Sequence, residues 1–299
     1  AERRSSEGRG LTPTRIIATR AGRPGTPRYS QDGESILYSH RSPHEASTLR
    51  LVRRDGSKDE RLSKGSADHL DRSSRLVVSR IRRHGRYLLY RDLYEVDRTS
   101  GKRQRLSRGA RLSDPAVHPE GNWGIAVQTR LGQSQLVYIE LPERKESTDQ
   151  DAPVRRPRAR KDPTAKLARI APVTDARDGS HYAHPAWSPA GDRLAVSVWK
   201  PGGFRDIHVF DSEGSHLRAL TWDRASDTDP VWSPDGDYLV FASDRDGIWN
   251  LFAYRWTDGA FFRVTRLLGG ATQPDIAPDG QHIVFRGYGA SGWRVEEIA

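Results

Sequence analysis

The fold is decided by residues 229–266, DPVWSPDGDYLVFASDRDGIWNLFAYRWTDGAFFRVTR, in which strand-forming segments alternate with turns. The segments are rich in aromatic and β-branched residues and fall at 231–232, 238–243, 249–254 and 261–265. Proline, aspartate and glycine build the turns between them, at 233–236, 244–247 and 258–259. We therefore predict one antiparallel sheet of four strands, whose apolar faces require neighbouring sheets.

The same proline-to-glycine core recurs along the chain. Clear copies begin at Thr26, Asp114, His184 and Gln273, and a degenerate copy begins at Val78. The repeat glycines are separated by 52, 36, 70, 45 and 44 residues; they are Gly33, Gly85, Gly121, Gly191, Gly236 and Gly280. Six units with a period near 44 predict an all-β, six-bladed propeller with four-stranded antiparallel blades.

These repeats resemble those of TolB-like β-propellers, a family with WD-type repeats. The resemblance is carried by the SPDG turn at 233–236, by the FASDRDG run at 241–247 and by the Leu-Thr type ending at 220–221, and it extends from about Ile16 onward. It implies a periplasmic or cell-envelope propeller that contacts a protein partner, and it implies no cofactor. The resemblance also implies an α/β domain before the propeller, and we expect none within this sequence.

The two ends of the chain predict how the ring closes. The segment 15–20 stands ten residues before the first repeat proline, where later repeats place their fourth strand, and no earlier strands precede it. The last repeat, from Gln273 onward, supplies only three strands. We therefore expect the N-terminal strand to complete the last sheet, which removes an exposed edge.

The domain organisation follows from these repeats. We expect a disordered segment at 1–13, a single propeller domain at 14–299 and a flexible insertion at about 141–168. The excess spacing of the third unit, 26 residues over the period, matches this insertion. It carries a basic patch suited to an acidic surface or polyanion: Arg155, Arg156, Arg158, Arg160 and Lys161. A solvated loop explains the same residues, and no aromatic residues are interleaved with them.

Composition limits the possible chemistry. The net charge is +10 with a pI near 10, which favours acidic partners without identifying them. Cysteine and methionine are both absent, so thiolate chemistry is excluded, and we expect the chain to be a processed, excised or edited form. No apolar run is long enough to span a membrane, and we expect no signal peptide within this chain.

A search for catalytic patterns predicts no catalytic or metal site. His181 and His184 precede a strand rather than lie on a helix, and His118 and His208 fit turn and packing roles. The text GYGASG at 287–292 has the wrong spacing for a nucleophile elbow. Asp227 and Asp229 fit local turn roles. Trp187 and Trp232 recur at repeat spacing and are expected in the core between sheets.

What remains is the mouth of the central channel. The residue before each repeat proline is expected there, and the candidates are Thr26, Val78, Asp114, His184, Asp229 and Gln273. We take Asp114, His184, Asp229 and Gln273 as the predicted partner-binding residues, because a site needs convergent polar groups.

Three functions stay open at this point. The first is a non-catalytic, monomeric propeller that binds a protein, peptide or ligand at its channel. The second is a substrate-gating module of a larger peptidase or hydrolase whose catalytic domain is encoded elsewhere. The third is a lyase that uses channel histidines. Signal peptide and flanking domains in the complete reading frame would discriminate between the first two.

Overall fold

A computed structural model describes residues 11–20, 22–43, 47–64, 76–97, 101–142 and 167–299. Its strands form six antiparallel sheets arranged as the blades of a propeller. The first three blades contain strands β2 (Arg23–Tyr29), β3 (Ser35–Arg41), β4 (Thr48–Arg53) and β5 (Glu60–Lys64); β6 (Leu76–His84), β7 (Leu88–Val96) and β8 (Arg103–Arg105); and β9 (Leu112–Val117), β10 (Trp123–Arg130), β11 (Gln133–Glu140) and β12 (Arg169–Pro172).

The last three blades follow the same pattern. They contain β13 (His181–Trp187), β14 (Arg193–Trp199), β15 (Arg205–Asp211) and β16 (His216–Ala219); β17 (Asp227–Trp232), β18 (Tyr238–Ser243), β19 (Asn250–Arg255) and β20 (Phe261–Arg263); and β21 (Ala271–Ile276), β22 (Ile283–Gly289), β23 (Gly292–Ile298) and β1 (Arg15–Ala18). A short 3₁₀ helix, Ala176–Asp178, connects the third and fourth blades. The predicted six-bladed architecture is confirmed.

The predicted ring closure is also confirmed. Strand β1 pairs antiparallel with β23, so the sixth blade contains strands from both ends of the described chain. The buried carboxylate of Glu297 on β23 joins this junction to the first blade. It pairs with Arg15 of β1, accepts a hydrogen bond from the Tyr29 hydroxyl at 2.7 Å, and pairs with Arg54 at 2.7 Å. Ring closure is therefore fixed by polar contacts as well as by strand pairing.

The structure corrects the predicted assignment of strands in the second blade. In the fifth blade the Leu251 backbone N–H, on the third strand, donates to the Thr265 hydroxyl at 2.8 Å. Leu93 and Ser107 make the same contact at 2.9 Å, which identifies β7 as a third strand and β6 as a second strand. Val78 consequently lies in β6, buried beside Tyr94, and not at the channel mouth. Residues 88–96 of this blade form one continuous strand, β7.

The repeat spacings contain the signal that would have assigned the strands of the second blade correctly. The values 52 and 36 around Gly85 average 44, which is the period of the clear repeats. Gly85 therefore occupies a different turn, the one between the second and third strands. Among the described residues this blade has three strands, and none of them is an inner strand.

The core consists of apolar side chains packed between neighbouring sheets. One cluster joins the fourth and fifth blades and includes Ile207, Trp232 and Phe241, all nearly inaccessible to solvent. Tryptophan side chains also link blades through hydrogen bonds. Trp232 Nε1 donates to the Ala186 carbonyl and Trp187 Nε1 donates to the Ala116 carbonyl, each at 3.1 Å. The predicted core role holds for Trp232, whereas Trp187 is half-buried.

Two predicted segments fall largely outside the described residues. Positions 1–10 of the predicted disordered N-terminus do so, but Thr12 is held in place. Its backbone N–H donates to the Arg266 carbonyl at 3.0 Å, and its hydroxyl accepts from the Arg266 N–H at 2.8 Å. Residues 143–166 of the predicted insertion also lie outside the described residues, together with the basic patch Arg155, Arg156, Arg158, Arg160 and Lys161.

Candidate functional site: the channel mouth

Each described inner strand carries a β-bulge at the residue before its repeat proline. Pairing with the second strand shifts register at this point, for example between Thr228 and Val231 and between Ala183 and Ala186. The residue in the bulge has a positive φ, between 47° and 55°, at Thr26, Asp114, His184, Asp229 and Gln273. Such a backbone conformation is uncommon for residues other than glycine. Bulges re-aim side chains, and recurrence of this one in five blades identifies it as part of the propeller geometry.

The bulge side chains connect successive blades. Asp114 Oδ2 accepts a hydrogen bond from the His184 backbone N–H at 3.2 Å, and Asp229 Oδ2 accepts from the Gln273 N–H at 3.2 Å. Gln273 Oε1 accepts from the Thr26 N–H at 2.8 Å. The His184 imidazole completes the chain, with Nδ1 3.1 Å from Asp229 Oδ1. The four predicted residues therefore lie around one opening and are coupled to one another.

A cavity of about 510 Å³ occupies this end of the channel. Its wall is formed by repeat prolines, by Trp187 and Trp232, and by the bulge residues Asp114, His184 and Asp229. It also contains Arg28 and Asp275, which the sequence prediction missed. Both stand two positions after a bulge residue, Thr26 and Gln273, so the repeat alignment itself offered the signal. The volume lies within the range of small-molecule and peptide side-chain sites.

The cavity wall is predominantly acidic, in contrast to the basic chain. Asp114, Asp229 and Asp275 contribute three carboxylates, against Arg28 and a titratable His184. Asp275 is buried, and its Oδ2 accepts from the Tyr29 N–H at 2.8 Å. Each carboxylate oxygen can accept more than one hydrogen bond. The mouth is thus suited to a ligand that presents hydrogen-bond donors or positive charge.

Two arginines act on the same carboxylates. Burial lowers the pKa of Arg205, and Asp114 and Asp229 partly offset that shift. Burial also lowers the pKa of Arg286, and Asp229 again partly offsets it. Within the described part of the chain Arg205 Nη1 has no hydrogen-bond partner. The electrostatics of the site therefore extend from the acidic mouth to cations on the fourth and sixth blades.

His118 and His208 take the turn and packing roles predicted for them, whereas His181 and His184, expected before a strand, lie within β13. His118 stacks on Trp123 with ring centroids 4.1 Å apart, and its Nε2 lies 3.1 Å from the Gly191 carbonyl of the next blade. His208 is buried with Nδ1 2.8 Å from His216 Nε2, and burial lowers the pKa of His208 to about 4. Across the residues that the structure describes, no group of three His, Asp or Glu side chains could hold a metal ion.

The structure places the other sequence motifs in a hairpin and in a buried ion pair. Residues 287–292 lie in the hairpin between β22 and β23, without the strand-to-helix turn of a nucleophile elbow. The turn role predicted for Asp227 is wrong, because this residue is fully buried in β17. Both of its carboxylate oxygens accept from Arg245 Nη2 at 3.1 Å, so it forms a buried ion pair. In the described ranges no helix is long and apolar enough to cross a membrane.

The strands and the channel together define a six-bladed β-propeller. The TolB beta propeller domain family model matches residues 167–297, which confirms the resemblance predicted from the repeats. Among curated proteins the chain is 30% identical over 106 residues to the uncharacterized peptidase YuxL of Bacillus subtilis (strain 168), covering 33% of this chain and 16% of that protein. It is 30% identical over 93 residues to the Tol-Pal system protein TolB of Anaeromyxobacter sp. (strain K), covering 30% of this chain and 20% of that protein.

Solved structures show the same fold in proteins of different activity. TolB from Acinetobacter baumannii superposes with a TM-score of 0.63 at 15% identity, covering 90% of this chain and 65% of that one. An oligogalacturonate lyase in complex with manganese gives 0.58 at 16% identity, covering 91% and 75%. A puromycin-hydrolyzing peptidase of Mycobacterium tuberculosis gives 0.54 at 19% identity, covering 98% and 48%. The matched segments thus span only a minor part of the curated relatives and about half of the peptidase.

Proposed function

We propose that this protein is a non-catalytic binding propeller of the bacterial cell envelope, which holds an extended segment of a partner protein at its channel mouth. The observation that carries the proposal is the cavity of about 510 Å³ lined by Asp114, His184 and Asp229, the last of which accepts a hydrogen bond from the Gln273 backbone N–H. A mixed wall of prolines, tryptophans and a few convergent polar groups is the usual composition of a binding site. The envelope location is supported by the likeness to TolB.

The cavity wall also indicates the chemistry of the bound segment. Three carboxylates line the wall together with Arg28 and His184, and Arg205 and Arg286 act on Asp114 and Asp229 from outside it. Because the carboxylate oxygens accept hydrogen bonds, the segment should present donors such as a lysine, an arginine or a free amino group. The ring of backbone and side-chain hydrogen bonds holds the carboxylates before binding, which lowers the cost of ordering them.

The experiment is a selection of displayed random peptides on the immobilised full chain, followed by titration of synthetic peptides. We expect enriched peptides with a basic residue, and a change of tryptophan fluorescence on binding because Trp187 and Trp232 line the cavity. The Asp114→Asn/Asp229→Asn variant keeps acceptor oxygens for the His184 and Gln273 N–H groups but removes two charges. We expect it to weaken binding by at least about tenfold.

The matched control is Asp246→Asn, an exposed carboxylate in the hairpin between β18 and β19, far in topology from the mouth. It removes one charge in the same blade as Asp229 and should bind normally. A selection without enriched peptides, or peptides that bind the Asp114→Asn/Asp229→Asn variant as well as the original chain, would contradict the proposal.

The second candidate is a propeller that gates substrate entry to a hydrolase domain encoded in the same polypeptide. It is favoured by the matches to peptidases, of which the chain covers only part. Sequencing the complete coding region separates the candidates. A hydrolase domain in frame with the propeller would establish the gating role, and a leader peptide with no such domain would support the envelope role.

A further inference from the structure

The hairpin of β6 and β7 extends beyond the rest of its blade. Its pairing runs from Leu76 and Val96 to His84 and Leu88, through nine residue pairs. The equivalent pairing in the fifth blade ends at Ser243 and Asn250, which corresponds to Arg80 and Asp92 because Leu251 and Leu93 are equivalent. Four further pairs, beginning with Ile81 and Arg91, therefore form an extension of the hairpin at residues 81–91. This hairpin extension bends back toward its blade, because His84 Nε2 near its end lies 2.9 Å from Asp92 Oδ2.

The hairpin extension carries exposed positive charge. The sequence at 80–91 is RIRRHGRYLLYR, and Arg82, Arg83 and Arg86 are exposed. None of these three forms an ion pair with a carboxylate among the described residues. Arg82 Nε donates to the Tyr94 hydroxyl at 3.1 Å, and Arg86 lies over the Tyr87 ring. Repulsion from Arg103 and Arg82 adds to burial in lowering the pKa of Arg80 to about 10.

Large apolar side chains are also exposed on the hairpin extension. Ile81, Tyr87, Leu88 and Leu89 have 48, 81, 53 and 67% of their surface accessible. Strand alternation places Ile81 and Leu89 on the same face as Arg83, and Tyr87 and Leu88 at the tip. Large apolar groups that are exposed together on one element mark an interaction surface.

We propose that this hairpin docks the propeller on the surface of a membrane rich in anionic phospholipids. Arginines pair with lipid phosphates, while Tyr87, Leu88 and Leu89 enter the boundary between headgroups and acyl chains. A nucleic acid would satisfy the arginines but would leave the leucine and isoleucine side chains without an apolar partner. Because exposed arginines and exposed apolar side chains occur together on this hairpin, an anionic lipid surface is favoured over other polyanions.

The test is co-sedimentation of the full chain with large unilamellar vesicles. One vesicle set contains equal parts of phosphatidylcholine and phosphatidylglycerol, the other phosphatidylcholine alone, each at about 0.01 M and about 0.15 M ionic strength. We expect binding to the anionic vesicles only, weakened but not abolished by salt. Leu88→Ser/Leu89→Ser should reduce partitioning by at least about tenfold at both ionic strengths, because it removes the penetrating groups.

A second variant, Arg83→Gln/Arg86→Gln, should lose the part of the binding that depends on salt. The matched control is Arg130→Gln/Leu131→Ser, at the exposed tip of the hairpin between β10 and β11, where Leu131 is 95% accessible. This control should bind as the original chain does. All substituted side chains are exposed, so thermal melting should show that each variant folds.

Three results would overturn the proposal. The first is no binding of the original chain to anionic vesicles. The second is binding that Leu88→Ser/Leu89→Ser leaves unchanged. The third is tighter binding to a duplex DNA of equal phosphate concentration that depends on Arg83 and Arg86 but not on the leucines, which would identify a general polyanion surface.

Discussion

At the scale of single residues, the most informative polar group outside the mouth is Asp227. It is fully buried, and burial raises the pKa of its carboxyl although Ser243, Thr221 and Arg245 counteract the shift. Arg245 bonds both carboxylate oxygens and lies 4.9 Å from the Phe252 ring centroid. The ion pair thus ties the inner strand of the fifth blade to the turn after its second strand.

Removing one partner of this pair should cost more than removing both. Arg245→Gln leaves a buried carboxylate uncompensated, and we expect a loss of about 3 kcal/mol in the free energy of unfolding at neutral pH. Asp227→Asn/Arg245→Gln should recover part of that loss. Urea unfolding of the two single variants and the double variant measures the coupling.

The pH dependence of the free energy of unfolding provides a second test of the Asp227–Arg245 pair. A carboxyl with a raised folded pKa contributes stability at low pH that is lost as the pH rises through that pKa. The penalty of Arg245→Gln should therefore be largest at neutral pH and should shrink on acidification, as Asp227 takes up a proton. Equal penalties at both pH values, or additive single variants, would show that the two side chains act independently.

At the scale of elements, strand pairing in the third blade depends on a residue without a side chain. Gly124 on β10 stands opposite Val117 on β9, and a Cβ there would lie 2.4 Å from the Ala116 carbonyl oxygen and 2.8 Å from Val117 Cα. Both contacts are with backbone, which cannot move aside without separating the strands. Because β9 carries Asp114 at its bulge, this packing also positions one residue of the mouth.

We therefore expect Gly124→Ala to lower the free energy of unfolding by about 1–3 kcal/mol, the cost of overpacking. Gly203→Ala is the control, since its nearest contact would be an ordinary 3.5 Å from the Lys200 carbonyl. It should be neutral or slightly stabilising, because alanine restricts the unfolded chain. Chemical denaturation of both variants provides the measurement, and similar losses in the two would show that crowding at β9 is not the cause.

At the scale of the whole molecule, stability depends on closing the ring between β1 and β23. Ala18 is paired with Val295, and Cα atoms paired across antiparallel strands lie about 4.5–5.5 Å apart, within reach of a disulfide. The chain has no cysteine, so Ala18→Cys/Val295→Cys would introduce a single thiol pair without competitors. We expect the oxidised form to melt several degrees above the reduced form, since the bridge restricts the unfolded chain and keeps the edge of the sixth blade covered.

The reduced form of the same protein is the control for any packing lost at Val295, which is fully buried. Differential scanning calorimetry with and without reductant compares the two forms directly. Equal melting temperatures, with the disulfide verified by mass spectrometry, would show that unfolding does not begin by opening of the ring at this junction.

The repeats determined the blade number, the inner position of Asp114, His184, Asp229 and Gln273, and closure by β1, because each follows from a period that local sequence preserves. The spacings of 52 and 36 contain the frame of the second blade, because they average the period of 44, but Gly85 by itself fits either of two turns and the contact of Leu93 with Ser107 decides between them. The repeat alignment likewise indicates the positions of Arg28 and Asp275, whereas the Asp227–Arg245 pair depends on how an inner strand meets a turn in the tertiary structure. Local propensity specifies strands and turns, whereas the burial and partners of a charged side chain are set by residues distant in sequence.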